Sequence, residues 1–176
     1  MGAFYASVTV FGADPESVAA VCDRPAFVAS EAGVTVVFAE ADDEGGGDLS
    51  EGALSAALGA VTLSVMLHDS DLLALMVHRD GEMVLQGCVP DPGEYFGSDV
   101  GDGLDALSGA VLVSALGRGD AAAVDVELAD DVTFAEDRHE AVLRALGLPT
   151  WSVGFGYRYL AADPDTFEGP TPIHLD

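Results

Sequence analysis

Four histidines, two cysteines and a dense set of carboxylates are the side chains in this sequence that could carry chemistry. Histidine is the usual acid–base group near neutral pH, so its spacing is the first test. His68 and His78 fall at opposite ends of a strand if the chain turns at Asp69-Ser70, which keeps them out of one site. His139 lies between Asp137 and Glu140 on a helical segment, and one turn away only Glu136 offers a second metal ligand. That pattern predicts a solvent-facing or capping histidine. His174 falls in the tail. Cys22 and Cys88 form neither a disulfide framework nor a zinc knuckle, and Cys88 has no neighbour in sequence that would lower its pKa. They read as free thiols in a reduced cytoplasm.

Other catalytic signatures fail on spacing. A Gly-x-Ser-x-Gly elbow is absent, and Gly101-Asp102-Gly103 and Gly154-Phe155-Gly156 continue to neither a third glycine nor a lysine, as phosphate loops require. The acidic run Asp42 to Asp48 lacks the alternating ligands and central glycine of a calcium loop, and Asp99, Asp102 and Asp105 suit helix solvation better than metal binding. No metal or cofactor is expected. With 31 acidic residues in the chain, any single carboxylate pair is uninformative.

The charge itself is the unusual feature. Six arginines and no lysine oppose those acids, for a net charge of -25. Direct nucleic-acid binding is disfavoured, because phosphate contacts need clustered cations and these six are scattered. The apolar runs stop short of a membrane span, and the opening Met1-Gly2-Ala3-Phe4-Tyr5 lacks the basic flank of a signal peptide. Three roles fit the acidity: a solubilising surface, adaptation to salt, or a face for a basic partner.

The elements that must position these residues centre on Val61 to Cys88. This stretch reads as three strands, the second turn set by Asp80-Gly81, since Asp-Gly supplies the positive φ angles of a two-residue hairpin turn. The implied register sets Arg79 opposite Glu82, His78 opposite Met83, Met76 opposite Leu85 and Leu73 opposite Cys88. It places Ala74, Met76, Met83 and Leu85 on one face, and Leu73, Leu75, Val77 and Val84 on the other, as in central strands covered on both sides. Before this unit come a strand at Phe4 to Phe11, a short helix opened by Asp14-Pro15, a hairpin turning at Glu31-Ala32-Gly33, and a helix Glu51 to Gly59 capped by Ser50. After it, helices are expected over Leu104 to Leu116, Asp120 to Leu128 and Ala135 to Leu146. Trp151 to Leu160 reads as a last strand whose Gly154 and Gly156 mark a bulge, or a place where another backbone or a ligand comes close. The tail 161–176 reads as irregular. The expected fold is one α+β domain over residues 1–176. It holds a mainly antiparallel sheet of six or seven strands with helices packed on it, and a helical insertion at about 104–146 before the last strand.

Several stretches together carry a resemblance. Met1-Gly2-Ala3-Phe4-Tyr5, the Asp80-Gly81-Glu82 turn followed by Pro92-Gly93-Glu94-Tyr95-Phe96, and the run Arg138 to Pro149 leading into Gly154-Phe155-Gly156-Tyr157 are similar to a group of uncharacterised bacterial proteins from high-GC genomes. The absence of Lys and Asn and the single Ile, Ile173, fit such a genome. The resemblance implies no activity, cofactor or catalytic residue.

The functional expectation is an acidic soluble interaction protein, such as an inhibitor or immunity-type module for a basic protein partner. Tyr95 and Phe96 would be its apolar anchor, flanked by Glu94 and Asp91, because interfaces concentrate their energy in a few aromatic residues. A homo-oligomer is compatible with the sequence. The alternative is a small enzyme or ligand-binding domain using the 90–97 loop and the glycine face of 151–160. A binding module should lack a deep pocket, whereas an enzyme should show one with converging polar groups.

Overall fold

Short alternating apolar segments bounded by turn residues build a seven-stranded sheet that is antiparallel throughout, and the computed structural model describes residues 2–41, 49–91, 93 and 107–176. The strands are β1 (Tyr5–Phe11), β2 (Ala26–Glu31), β3 (Val34–Ala39), β4 (Thr62–His68), β5 (Leu72–Arg79), β6 (Glu82–Val89) and β7 (Ile173–Leu175). Their spatial order is β6-β5-β4-β1-β3-β2-β7, with the first strand at the centre. The helices are α1 (Pro15–Val21), α2 (Glu51–Leu58), α3 (Gly109–Leu116), α4 (Ala121–Ala129), α5 (Ala135–Ala145) and α6 (Tyr157–Ala162). The α+β architecture is therefore the expected one.

Each sheet face has its own helical cover, because side chains alternate along a strand. Ala6, Val8, Val10, Val28 and Val37 meet Val18 of α1 and Leu54 of α2 on one face. On the other, Leu63, Val65, Leu73, Leu75 and Val77 meet Leu112 of α3, Val124 of α4, and Val142 and Leu143 of α5. Val36 and Phe38 extend this second layer to Leu160 of α6. The insertion helices owe their boundaries to local chemistry. Ser108 caps α3 by accepting from Val111 N, Asp120 caps α4 by accepting from Ala122 N and Ala123 N, and Gly117 ends α3 at a φ of 71°. Leu104 lies outside the described residues; Leu107 and Ser108 are not helical, and α3 begins at Gly109.

Five expectations need correction. The Asp80-Gly81 turn forms, with φ of 52° and 84°, and Arg79 and His78 face Glu82 and Met83 as expected. Beyond them a bulge leaves Val84 unpaired, so Val77 meets Leu85, Met76 meets Gln86, Leu75 meets Gly87, Ala74 meets Cys88 and Leu73 meets Val89. The slip puts Leu85 on the same face as Val77, under the insertion helices, where it is buried. Strand β6 is also the end of the sheet rather than a central strand, and Met83 and Val84 are exposed.

Ser50 does not cap α2. It sits at a φ of 61°, its hydroxyl donates to Asp23 Oδ1 (2.8 Å), and the Glu51 carboxylate instead reaches back to accept from Leu49 N (2.9 Å). Trp151 to Leu160 is not a strand. Its first residues form turns and the rest form α6, because Gly154 takes a φ of 81° and reverses the chain. The tail, finally, is not wholly irregular, since Ile173–Leu175 adds to β2 with Val28 opposite Ile173 and Ala26 opposite Leu175.

Candidate functional site

Of the anchor residues expected from sequence, Glu94, Tyr95 and Phe96 lie outside the described residues. Asp91 is exposed, and its Oδ1 accepts from Gly93 N (2.7 Å) in a turn closed by its own side chain. Of the two glycines of 151–160, only Gly156 marks a close approach, to the start of β1, whereas a Cβ on Gly154 would meet nothing within 4 Å. A Cβ on Gly156 would stand 3.1 Å from Tyr5 Cβ, so this glycine lets the start of α6 lie against β1. The cavity beside it holds only about 20 Å³, room for roughly one water.

A larger concavity among the described residues lies elsewhere and was not legible as a site in sequence. It is an open groove of about 640 Å³. Trp151, Val153 and Phe155 line it from the turn after α5, Glu31 from the end of β2, Glu140 from α5, and Glu168 from the segment leading to β7. Its aromatic wall is fixed from behind. Phe167 stands edge-on to Trp151 at 5.6 Å and to Phe155 at 5.0 Å, and edge-on to the buried Phe38 at 5.8 Å. Trp151 Nε1 donates to Glu31 Oε2 (2.7 Å), which ties the indole to the β2–β3 hairpin. Gly169 passes so near that a Cβ there would be 3.0 Å from Trp151 Cδ2. Trp151 and Phe155 are half-buried, while Glu31 and Glu168 are exposed. No arginine lines the groove, although Arg144 pairs with Glu140 at its rim. Such a surface repels anions and attracts cations. The relevant residues come from positions 31, 140, 151–155 and 168, and only the alternation of Val153 and Phe155 was visible beforehand.

A second polar cluster is buried. His139, expected to face solvent or to cap, is 1% exposed, and its Nδ1 lies 2.8 Å from Tyr5 Oη. The sequence did hold the signal: 139, 142, 143 and 146 share the apolar stripe of α5, and Ala135 extends it by a turn. Burial pushes the imidazole down to about 3, so it is neutral at physiological pH. Burial also holds the Tyr5 phenol well above its usual range, an effect Glu136 and Tyr159 reinforce and a hydrogen bond from Gly154 backbone opposes. Around this pair, Ser70 Oγ donates to Glu136 Oε1 (2.6 Å) and accepts from Ala3 N (2.7 Å), while Ser70 O accepts from Ala135 N (2.7 Å). The cluster joins the first strand, the β4–β5 turn and the start of α5. His139 lines neither the Trp151 groove nor the cavity beside Gly156, and its place is that of a tie between β1 and α5.

The remaining candidates stay apart. His68 stands edge-on to Phe4 at 4.8 Å, His78 lies beside α2 at Gly52, and His174 packs on Phe27 at 4.7 Å. Cys22 and Cys88 are free, and burial, then Asp91, pushes the Cys88 thiol up, away from the reactive thiolate. Among the described residues no three His, Cys, Asp or Glu side chains are grouped to hold a metal, and the acidic runs 42–48 and 99–105 fall outside them. No described helix is long and apolar enough to cross a membrane. No protein family, curated protein or solved structure matches the chain.

Proposed function

We propose that this protein is an acidic interaction module that docks a basic protein partner, in the manner of an inhibitor or immunity-type protein. The observation that carries the reading is the Trp151 groove. It is open, its wall is aromatic, its rim holds Glu31, Glu140 and Glu168, and no arginine lines it. The surrounding charge of -25 extends the same attraction over the whole surface. Long-range attraction of this kind speeds encounter, and the aromatic wall supplies the apolar contact that holds a complex once formed. A cytoplasmic setting fits the two free thiols.

The test is capture from native lysate at low and high sodium chloride, followed by identification of the retained protein and binding kinetics with it in pure form. The expected result is a basic protein whose association rate falls steeply with salt while its dissociation rate changes little. Retention of nothing basic, together with turnover of a small molecule by the purified protein, would favour the enzymatic alternative.

A further inference from the structure

We infer that the Trp151 groove is a receptor for an arginine side chain presented by a loop of the basic partner. The inference rests on the interaction reading above and names the group that the groove takes. Three features of the groove select a guanidinium. Its wall is built from Trp151 and Phe155, and flat cations stack on aromatic rings. Its rim carries Glu31 and Glu168, exposed carboxylates with oxygens left for a donor: Glu31 spends Oε2 on the indole and keeps Oε1. The rim also shows the pairing already made within the chain, since the guanidinium of Arg144 sits on Glu140.

A guanidinium matches both surfaces at once, because it is planar, weakly hydrated and presents five donors in a fixed fork. An ammonium is a compact, strongly hydrated point charge that would satisfy the carboxylates and gain less from the wall. The groove, at about 640 Å³, is larger than one side chain, so it accommodates the arginine with the residues on either side of it. Neither contact needs the protein to rearrange, as the indole is held by Glu31 and both rings are backed by Phe167.

Trp151 is the sole tryptophan, so its emission reports directly on the groove. The experiment titrates the full chain at low salt with three capped tripeptides, Gly-Arg-Gly, Gly-Lys-Gly and Gly-Gly-Gly. We expect a saturable change with the arginine peptide, binding about threefold or more weaker for the lysine peptide, and no response to the glycine peptide. Glu168→Gln and Glu31→Gln should each weaken arginine-peptide binding about two- to fivefold. Glu31→Gln keeps an oxygen for Trp151 Nε1, and Glu168 is exposed, so both variants should fold. Glu16→Gln removes the same charge from α1, on the opposite face of the sheet, and should change nothing. An absent or non-saturable response, equal affinity for lysine and arginine, or glutamine variants indistinguishable from wild type would each overturn the assignment. The two readings fail separately. A basic partner that binds a chain carrying both Glu31→Gln and Glu168→Gln as well as it binds wild type removes the groove but keeps the interaction function. Arginine-peptide binding with no basic protein retained does the reverse.

Discussion

Tyr5 and His139 sit 134 positions apart in the chain, and one hydrogen bond between them ties the central strand to α5. Tyr5→Phe removes the hydroxyl but leaves the ring, so the cost is that of a buried nitrogen losing its partner, about 1–3 kcal/mol in denaturant unfolding. An unchanged midpoint would show that Nδ1 finds another partner. The same histidine sets a pH dependence. Its pKa is near 6.5 in the unfolded chain and about 3 when folded, so acid protonates the unfolded state first. The stability held by the neutral ring is full above pH 6.5 and drains away as pH falls toward 3, at up to about 1.4 kcal/mol per pH unit. Between pH 7.5 and 5.5, wild type should lose about 1 kcal/mol more than His139→Gln, whatever the shared carboxylates do; parallel curves would contradict this. Sequence spacing rightly separated the four histidines, yet the burial of His139 was missed. Its charged neighbours, Asp137 and Glu140, masked an apolar stripe that runs past them on the same helix.

Hairpins were the elements most legible in sequence, because their turns need backbone angles that few residues tolerate. Asp80-Gly81 and Ala32-Gly33 both have positive φ at each central position. Gly81→Val should destabilise by about 1 kcal/mol or more, since a β-branched residue resists a φ of 84°, and a Cβ there would stand 2.8 Å from Ala56 Cβ on α2. A denaturation midpoint equal to wild type would show that the turn tolerates another geometry. The Val84 bulge was not legible. Both registers bury apolar residues, and only the cover of insertion helices on one face decides where Leu85 goes. The segment 151–160 was misread for a related reason. Val153, Phe155, Tyr157 and Tyr159 alternate like strand residues, but the intervening glycines serve a reversal at Gly154 and a contact with Tyr5 at Gly156. The groove was illegible because Glu31 lies more than 100 residues of chain from Glu140 and Glu168, and only the completed fold brings them together.

Across the whole molecule, three of the six arginines are committed to the framework. Arg79, Arg118 and Arg138 donate to the carbonyls of Ala115, Gly147 and Asp130, near the ends of α3, α5 and α4, where the helix dipole favours positive charge. The surface carboxylates are left largely to one another. Screening should therefore stabilise the fold, and Tm should rise as sodium chloride takes the Debye length from about 30 Å at 0.01 M to about 8 Å at 0.15 M. A flat profile would show the carboxylates too far apart to repel. The order of the strands also has a consequence in time. β1 to β6 all precede the helical insertion, whereas β7, which covers β2, comes after it. A ribosome making this chain therefore releases β2 with a bare edge and completes more than 80 further residues after β6 before Ile173–Leu175 can close it. Bare edges recruit strands from neighbouring chains, and on a polysome the neighbours are identical copies. Because every copy carries the same large negative charge, repulsion guards that edge until its own strand arrives.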